Sequence, residues 1–217
     1  MPLTNVQLAD LTVDGFLDRL ASSDPAPGGG SASALAGAMA AGLVGMVAEL
    51  TAGREQYAEH DAAVREVRAA ASEHRRTLMA LAQDDATAYD AVVRARRLPK
   101  ETEDEQAARS AALRDAMLEA ARIPMQIAAE SLEVLRLAER IAPIGNKNAV
   151  SDAGVAALLA AGSLRGAVLN VRINLPYLAE GEPMRVEAPT ELARLEELAG
   201  MLEASAAAAV DARIGLP

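Results

Sequence analysis

The sequence predicts an all-α fold, a single domain of long antiparallel helices running up and down through residues 1–217. Three observations predict it. No stretch alternates apolar and polar residues between hairpin turns, as half-buried strands do. The apolar half of the chain is mostly Ala, Leu and Val, with one Phe, three Tyr and no Trp. Strands favour aromatic and β-branched side chains, whereas Ala and Leu favour helix. Finally, Gly and Pro gather in short connectors, and residues 55–97 contain neither.

The elements follow in order. The first helix is expected from Val13 to Ala21, capped by Thr12, with Phe16, Leu17 and Leu20 on one face. "PAPGGG" leads to a second, Ser31 to Leu50. A third spans Glu55 to Arg97, is stopped by "LP", and is long enough that a break near "QDDATAY" is expected. Thr102 and Glu105 form a capping-box pattern opening a fourth helix, which reaches Ile141 with a kink expected at Pro124. After the polar loop "APIGNKNAVSD", Ser151 or Asp152 should cap a fifth, reaching Leu175. The connector "LAEGEPMRVEAP" precedes a sixth, capped by Thr190, whose stripe is Leu192, Leu195, Leu198, Leu202 and Val210.

Composition narrows the function. A net charge of −10 argues against nucleic-acid binding, which needs a basic surface. The absence of Cys excludes disulfides, thiolate metal sites and a Cys nucleophile. His60 and His74 are expected at the surface. The first residues lack a basic segment followed by an apolar one, so a cytoplasmic location is the expectation. Residues 31–48 are uncharged and reach the length of a membrane span, but Ala, Gly and Ser dominate and no Trp/Tyr belt flanks them. A buried core helix is the better reading, with no membrane partner.

Three polar clusters carry possible chemistry. Pro27, Gly28, Gly29, Gly30 and Ser31 precede a helix without the Lys-Ser/Thr of a phosphate-binding loop. Such glycines either let a ligand approach bare backbone at a helix N-terminus or relieve a tight turn. Deeper in that helix, Ala34, Ala38 and Gly42, and Gly37, Ala41 and Gly45, form two rows that admit a close neighbour. Asp85 shares a helical face with Tyr89 and Val92 and is expected to point inward, where desolvation raises a carboxyl's pKa. The loop carries Asn146, Lys147 and Asn148, and Gly162, Gly166, Asn170 and Asn174 form a row in the next helix. Buried amides need partners, a ligand's ring edge among them. Arg165 and Arg172 are carboxylate binders or plain surface residues.

Taken together, "VDGFLDRLASSDPAPGGGSASALAGAMAAGLVGMVAELT", "DDATAYDAVVRARRLPKETEDEQAAR" and "GNKNAVSDAGVAALLAAGSLRGAVLNVRIN" resemble the cyclodeaminase/cyclohydrolase family of folate enzymes along nearly the whole chain. The resemblance implies an all-helical homodimer without metal or cofactor. The substrate it implies is a tetrahydrofolate bearing a one-carbon unit between N5 and N10, turned over by cyclodeamination or by hydrolysis. An inactive folate-binding or oligomerisation module is the alternative. The enzymatic reading makes Asp85 the acid/base. It makes Pro27 to Ser31, Asn146, Asn148, Ser151, Asp152, Asn170 and Asn174 substrate contacts, with Lys147 or Arg54 anchoring the glutamate carboxylate. Where relatives continue "LT" with a glycine and two lysines, this chain reads "LTAGREQY", so Arg54 keeps one positive charge and Glu55 replaces the other.

Overall fold

The computed structural model describes residues 7–215, and no strand occurs among them. A 3₁₀ turn, Leu8–Asp10, leads to α1 (Val13–Leu20), capped by Thr12, whose Oγ1 accepts the Gly15 N–H at 3.0 Å. The bundle proper consists of α2 (Gly29–Glu49), α3 (Asp61–Arg96), α4 (Glu103–Ile141) and α5 (Val150–Asn174), with α6 (Pro183–Ile214) laid over α4 and α5.

Cross-helix contacts fix the directions. Ser31 meets Asp85 while Glu49 meets Arg68, so α2 and α3 are antiparallel. His74 pairs with Glu130, and Glu66 with Arg140, which sets α4 against α3. Ser131 meets Ser163 and Ala120 meets Asn174, so α5 reverses again. Arg165 and Arg172 pair with Glu203 and Glu196, which places α6 antiparallel to α5. One end of the bundle therefore gathers the start of α2, the last turns of α3, the first half of α4 and the end of α5.

Small residues let the helices close in. A Cβ on Gly37 would lie 2.8 Å from Ser163 Oγ and 3.1 Å from both Leu78 Cδ1 and Ser131 Oγ, so only glycine fits where α2 faces α4 and α5. Ser163 Oγ donates to the Ser33 carbonyl at 2.6 Å and sits 2.7 Å from Ser131 Oγ, so these buried hydroxyls are satisfied. Ala34, Ala38, Ala41, Val44 and Val47 fill the same inner face. Gly42 and Gly45 face open space instead, so each small-residue row starts in the core and ends outside it. By length and composition α2 and the Lys147–Tyr177 segment could each span a membrane, yet both are core helices here, about half buried in their apolar windows.

Several sequence expectations change. Leu17 is exposed rather than packed beside Phe16. α2 begins at Gly29, so two of the glycines are helical. The third segment breaks not at "QDDATAY" but at Tyr57 (φ −121°, ψ 15°), where the 3₁₀ turn Glu55–His60 ends before α3. α4 carries the expected capping box at Thr102 and Glu105 and runs unbroken through Pro124. Neither Ser151 nor Asp152 caps α5. Asn146 does that work one turn earlier, accepting the Asn148 N–H and opening the 3₁₀ turn Lys147–Ala149 that feeds α5. α6 starts at Pro183, whose fixed φ suits a first helical position, and continues through Pro189, leaving Thr190 inside the helix. Its expected stripe holds, with Leu192 and Leu195 buried and Leu198, Leu202 and Val210 packed beside them. His74 is half-buried and bridges α3 to α4, 2.7 Å from Glu130.

Candidate active site

The N-cap of α2 is Gly28, which offers no side chain to the first free N–H groups of the helix. Asp85, reaching across from α3, supplies the missing acceptor. Its Oδ2 takes the Ser31 Oγ–H at 2.8 Å, and the Ser31 backbone N–H also donates to it. A carboxylate at a helix N-terminus is favoured by the dipole as well as by these bonds. Burial nevertheless dominates and pushes the Asp85 carboxyl above the usual carboxylate value of 3.8, with the two Ser31 bonds pulling the other way.

This arrangement explains the glycine run position by position. A Cβ on Gly30 would stand 2.0 Å from Asp85 Oδ1 and 2.5 Å from its Cγ, so the carboxyl group occupies the space that any other residue would fill. A Cβ on Gly29 would come within 3.3 Å of Asn170 Nδ2, a tight but softer contact. Gly28 meets only the Pro25 carbonyl at 3.6 Å, an ordinary separation. Ser31 is fully buried and committed to Asp85.

Beside the carboxyl lies a cleft of about 360 Å³. Gly28, Gly29 and Gly30 form one wall, α3 contributes Asp85, Tyr89, Val92 and Arg96, and α5 contributes Asn170 and Asn174. Asn174 Nδ2 donates to the Ala120 and Asn170 carbonyls at 2.7 and 2.9 Å, and Asn170 Nδ2 to the Gly166 carbonyl at 2.8 Å. These bonds tie the amide nitrogens to backbone, and no donor among the described residues takes either Oδ1 atom. A larger groove of about 670 Å³ runs between α3 and α4, but alanines floor it and its Arg122 is paired with Glu119, so it lacks a buried reactive group. Among the described residues no cluster of three or more His, Cys, Asp or Glu could hold a metal.

A family model described as formiminotransferase-cyclodeaminase matches residues 12–188, which contain every residue of this cleft. The chain belongs to that family. It is 46% identical to methenyltetrahydrofolate cyclohydrolase from Methylorubrum extorquens over 88% of both chains. It is 33% identical to mouse formimidoyltransferase-cyclodeaminase over 80% of its own length, a match covering 32% of that longer protein. The solved structure of formiminotetrahydrofolate cyclodeaminase from Thermotoga maritima superposes with a TM-score of 0.83 at 29% identity, covering 95% of this chain and 98% of that one.

Within this member of the family, the residues expected to share one site divide between two ends. Gly28 to Gly30, Asp85, Asn170 and Asn174 converge on the cleft, while Pro27 is buried behind it. Arg54, Asn146, Lys147, Asn148, Ser151 and Asp152 lie at the opposite end, a helix length of about 30 Å away. There Asn146 is buried as a joint. Its Nδ2 donates to the Leu50 carbonyl at 2.9 Å, its N–H to Thr51 Oγ1 at 2.8 Å, and its Oδ1 takes the Asn148 N–H at 3.0 Å. The Lys147 N–H donates to the Tyr57 hydroxyl at 3.0 Å.

Sequence reading also missed cleft residues. Tyr89 does not enter the core but stands at the cleft wall, 42% exposed, and Tyr177 lines it from just beyond α5. Arg96 was legible: extending the Asp85, Tyr89, Val92 face by one turn reaches it. Tyr177 gives no such signal, since only the fold brings it near α3.

Proposed function

We propose that the chain is a folate one-carbon enzyme acting on the carbon between N5 and N10 of tetrahydrofolate, with methenyltetrahydrofolate hydrolysis as its principal reaction. The observation that carries this reading is the half-sequestered Asp85, held by Ser31 in a cleft with amide acceptors, in a chain 46% identical to a cyclohydrolase. Water adds to the cationic methenyl carbon and gives its proton to Asp85. The hydroxyl intermediate then collapses: the carbon–N5 bond breaks, N5 takes the proton back from Asp85, and the hydroxyl proton leaves to water, so the formyl group stays on N10 and one proton is released overall. A carboxylate beside the cation stabilises it as well as moving the proton, effects together worth roughly 10²–10⁴-fold. The Oδ1 atoms of Asn170 and Asn174 accept pterin N–H groups. Tyr89 and Tyr177 supply flat apolar surface.

Cyclodeamination is the second reading, favoured by the likeness to the Thermotoga maritima cyclodeaminase. N10 attacks the formimino carbon and gives its proton to Asp85, which returns it to the departing ammonia as the carbon–nitrogen bond breaks. Nothing favours an inactive binding or oligomerisation module. The test follows the methenyl chromophore with methenyl- and formiminotetrahydrofolate. Loss of absorbance with the first supports hydrolysis, its appearance with the second supports cyclodeamination, and no change with either in folded protein removes both.

The same reading includes a cytoplasmic homodimer. Met39 and Met46 on α2, Leu50 at its C-cap, and Leu158, Leu169 and Ile173 on α5 are exposed, and Gly42, Gly45 and Gly162 also face open space. Apolar surface of this extent supports burial against a second copy. A two-fold axis across α2 would bring Arg54 and Lys147 of one copy toward the cleft of the other. Light scattering tests it: the wild-type chain should have twice the monomer mass, and Leu158→Glu should halve it.

A further inference from the structure

The α3 face behind the cleft has an order. Asp85, Tyr89, Val92 and Arg96 follow at spacings of four, three and four residues and all line the same cleft. Acid comes first, then an aromatic and an aliphatic group, then a cation. The substrate of the proposed reaction has the matching order: the one-carbon centre, a benzoyl ring, then a glutamate carboxylate. The lengths agree as well. Eleven residues advance about 16 Å along a helix, and an Arg side chain leans back toward the helix N-terminus. A benzoyl-glutamate tail spans roughly 10 Å, about three extended residues.

Arg96 is also available. It is exposed, and its guanidinium takes part in no ion pair with the described residues, whereas Arg94 and Arg122 line the separate α3–α4 groove. Only the Arg96 carbonyl is engaged, accepting from Arg109.

We propose that Arg96 is a specificity-determining residue that holds the glutamate carboxylate of the folate, with Tyr89 and Val92 against the benzoyl ring. This rests on the folate reading of the Asp85 cleft and assigns to α3 the anchor that sequence alone gave to Arg54 or Lys147. A planar guanidinium can take the carboxylate through two parallel bonds.

The experiment compares methenyltetrahydrofolate with methenyltetrahydropteroate, which lacks the glutamate, in the wild-type chain and in Arg96→Ala, Arg96→Lys, Arg54→Ala and Lys147→Ala. The wild-type chain should prefer the glutamyl substrate by roughly tenfold in kcat/KM, expressed in KM. Arg96→Ala should erase that preference and Arg96→Lys restore part of it, while Arg54→Ala and Lys147→Ala retain it. A preference that survives Arg96→Ala, or that vanishes instead in Arg54→Ala or Lys147→Ala, overturns the assignment. Turnover of both substrates without preference by the wild-type chain overturns it too, yet leaves the folate reading standing. Turnover of neither removes that reading and the assignment together.

Discussion

The two ends of the bundle use the same residue types to opposite effect. Each has glycine, serine or threonine, asparagine and aspartate near the tip of α2. At the Asp85 end, a carboxyl is drawn out of water and pressed against Gly30, with open space of about 360 Å³ beside it. At the Asn146 end, the amide is consumed by Leu50, Thr51 and Asn148, and Gly145 closes the turn where a Cβ would strike Val47 Cγ1 at 2.7 Å. The first end keeps a charged group in tension with its surroundings. The second commits the Asn146 side-chain amide to backbone, donating to the Leu50 carbonyl and accepting from the Asn148 N–H. A polar cluster thus reads as a site only when some of its hydrogen-bonding capacity is left over.

The sharpest way to break this contrast is Asp85→Asn. The amide oxygen can still accept from Ser31, and a buried charge is removed, so the melting temperature should hold or rise. Turnover should fall by roughly 10²–10⁴. Retained turnover would reduce Asp85 to a helix cap. Gly30→Ala comes next. Its methyl must displace the carboxyl or the helix, and a shift near 1 Å can cost about 10²-fold in rate. Gly28→Ala, which meets nothing closer than 3.6 Å, should change turnover little, and equal losses in the two variants would refute the steric account.

The acid limb of the pH–rate profile is a smaller effect with a definite sign. Water addition needs ionised Asp85, so activity is present above its folded pKa and falls about tenfold per pH unit below it. Burial raises that pKa, so the limb should lie above the ordinary carboxylate value of 3.8. A limb at or below the ordinary value would mean that another group sets the rate.

Much of this was legible in sequence. Periodicity and punctuation gave six helices and the Thr102 capping box, because those signals are local. The glycine run and Asp85 could each be singled out, but their collision distance could not, since it joins residues 55 apart on different helices. Sequence did not show that the Asn146 cluster lies at the other end of the subunit from the Asp85 cleft, because motif spacing carries no information about which end of an antiparallel bundle a loop occupies. Tyr89 was read as core because helical phase gives a face without telling whether a cleft interrupts it.

Asn146→Ala tests the quieter end. Removing the side chain leaves the Leu50 carbonyl and the Asn148 N–H without their partner, while the backbone bond to Thr51 Oγ1 survives. Two side-chain bonds at a buried site correspond to a loss of about 1–3 kcal/mol in folding stability, read by denaturant midpoint at constant slope. Because this joint lies about a helix length from Asp85, kcat measured well below the unfolding transition should stay within about twofold. If stability holds and kcat collapses, Asn146 acts on substrate, and the clean division of labour between the two ends fails. The distinction turns on which quantity moves, since a structural joint and a substrate contact would both look essential in a simple activity screen.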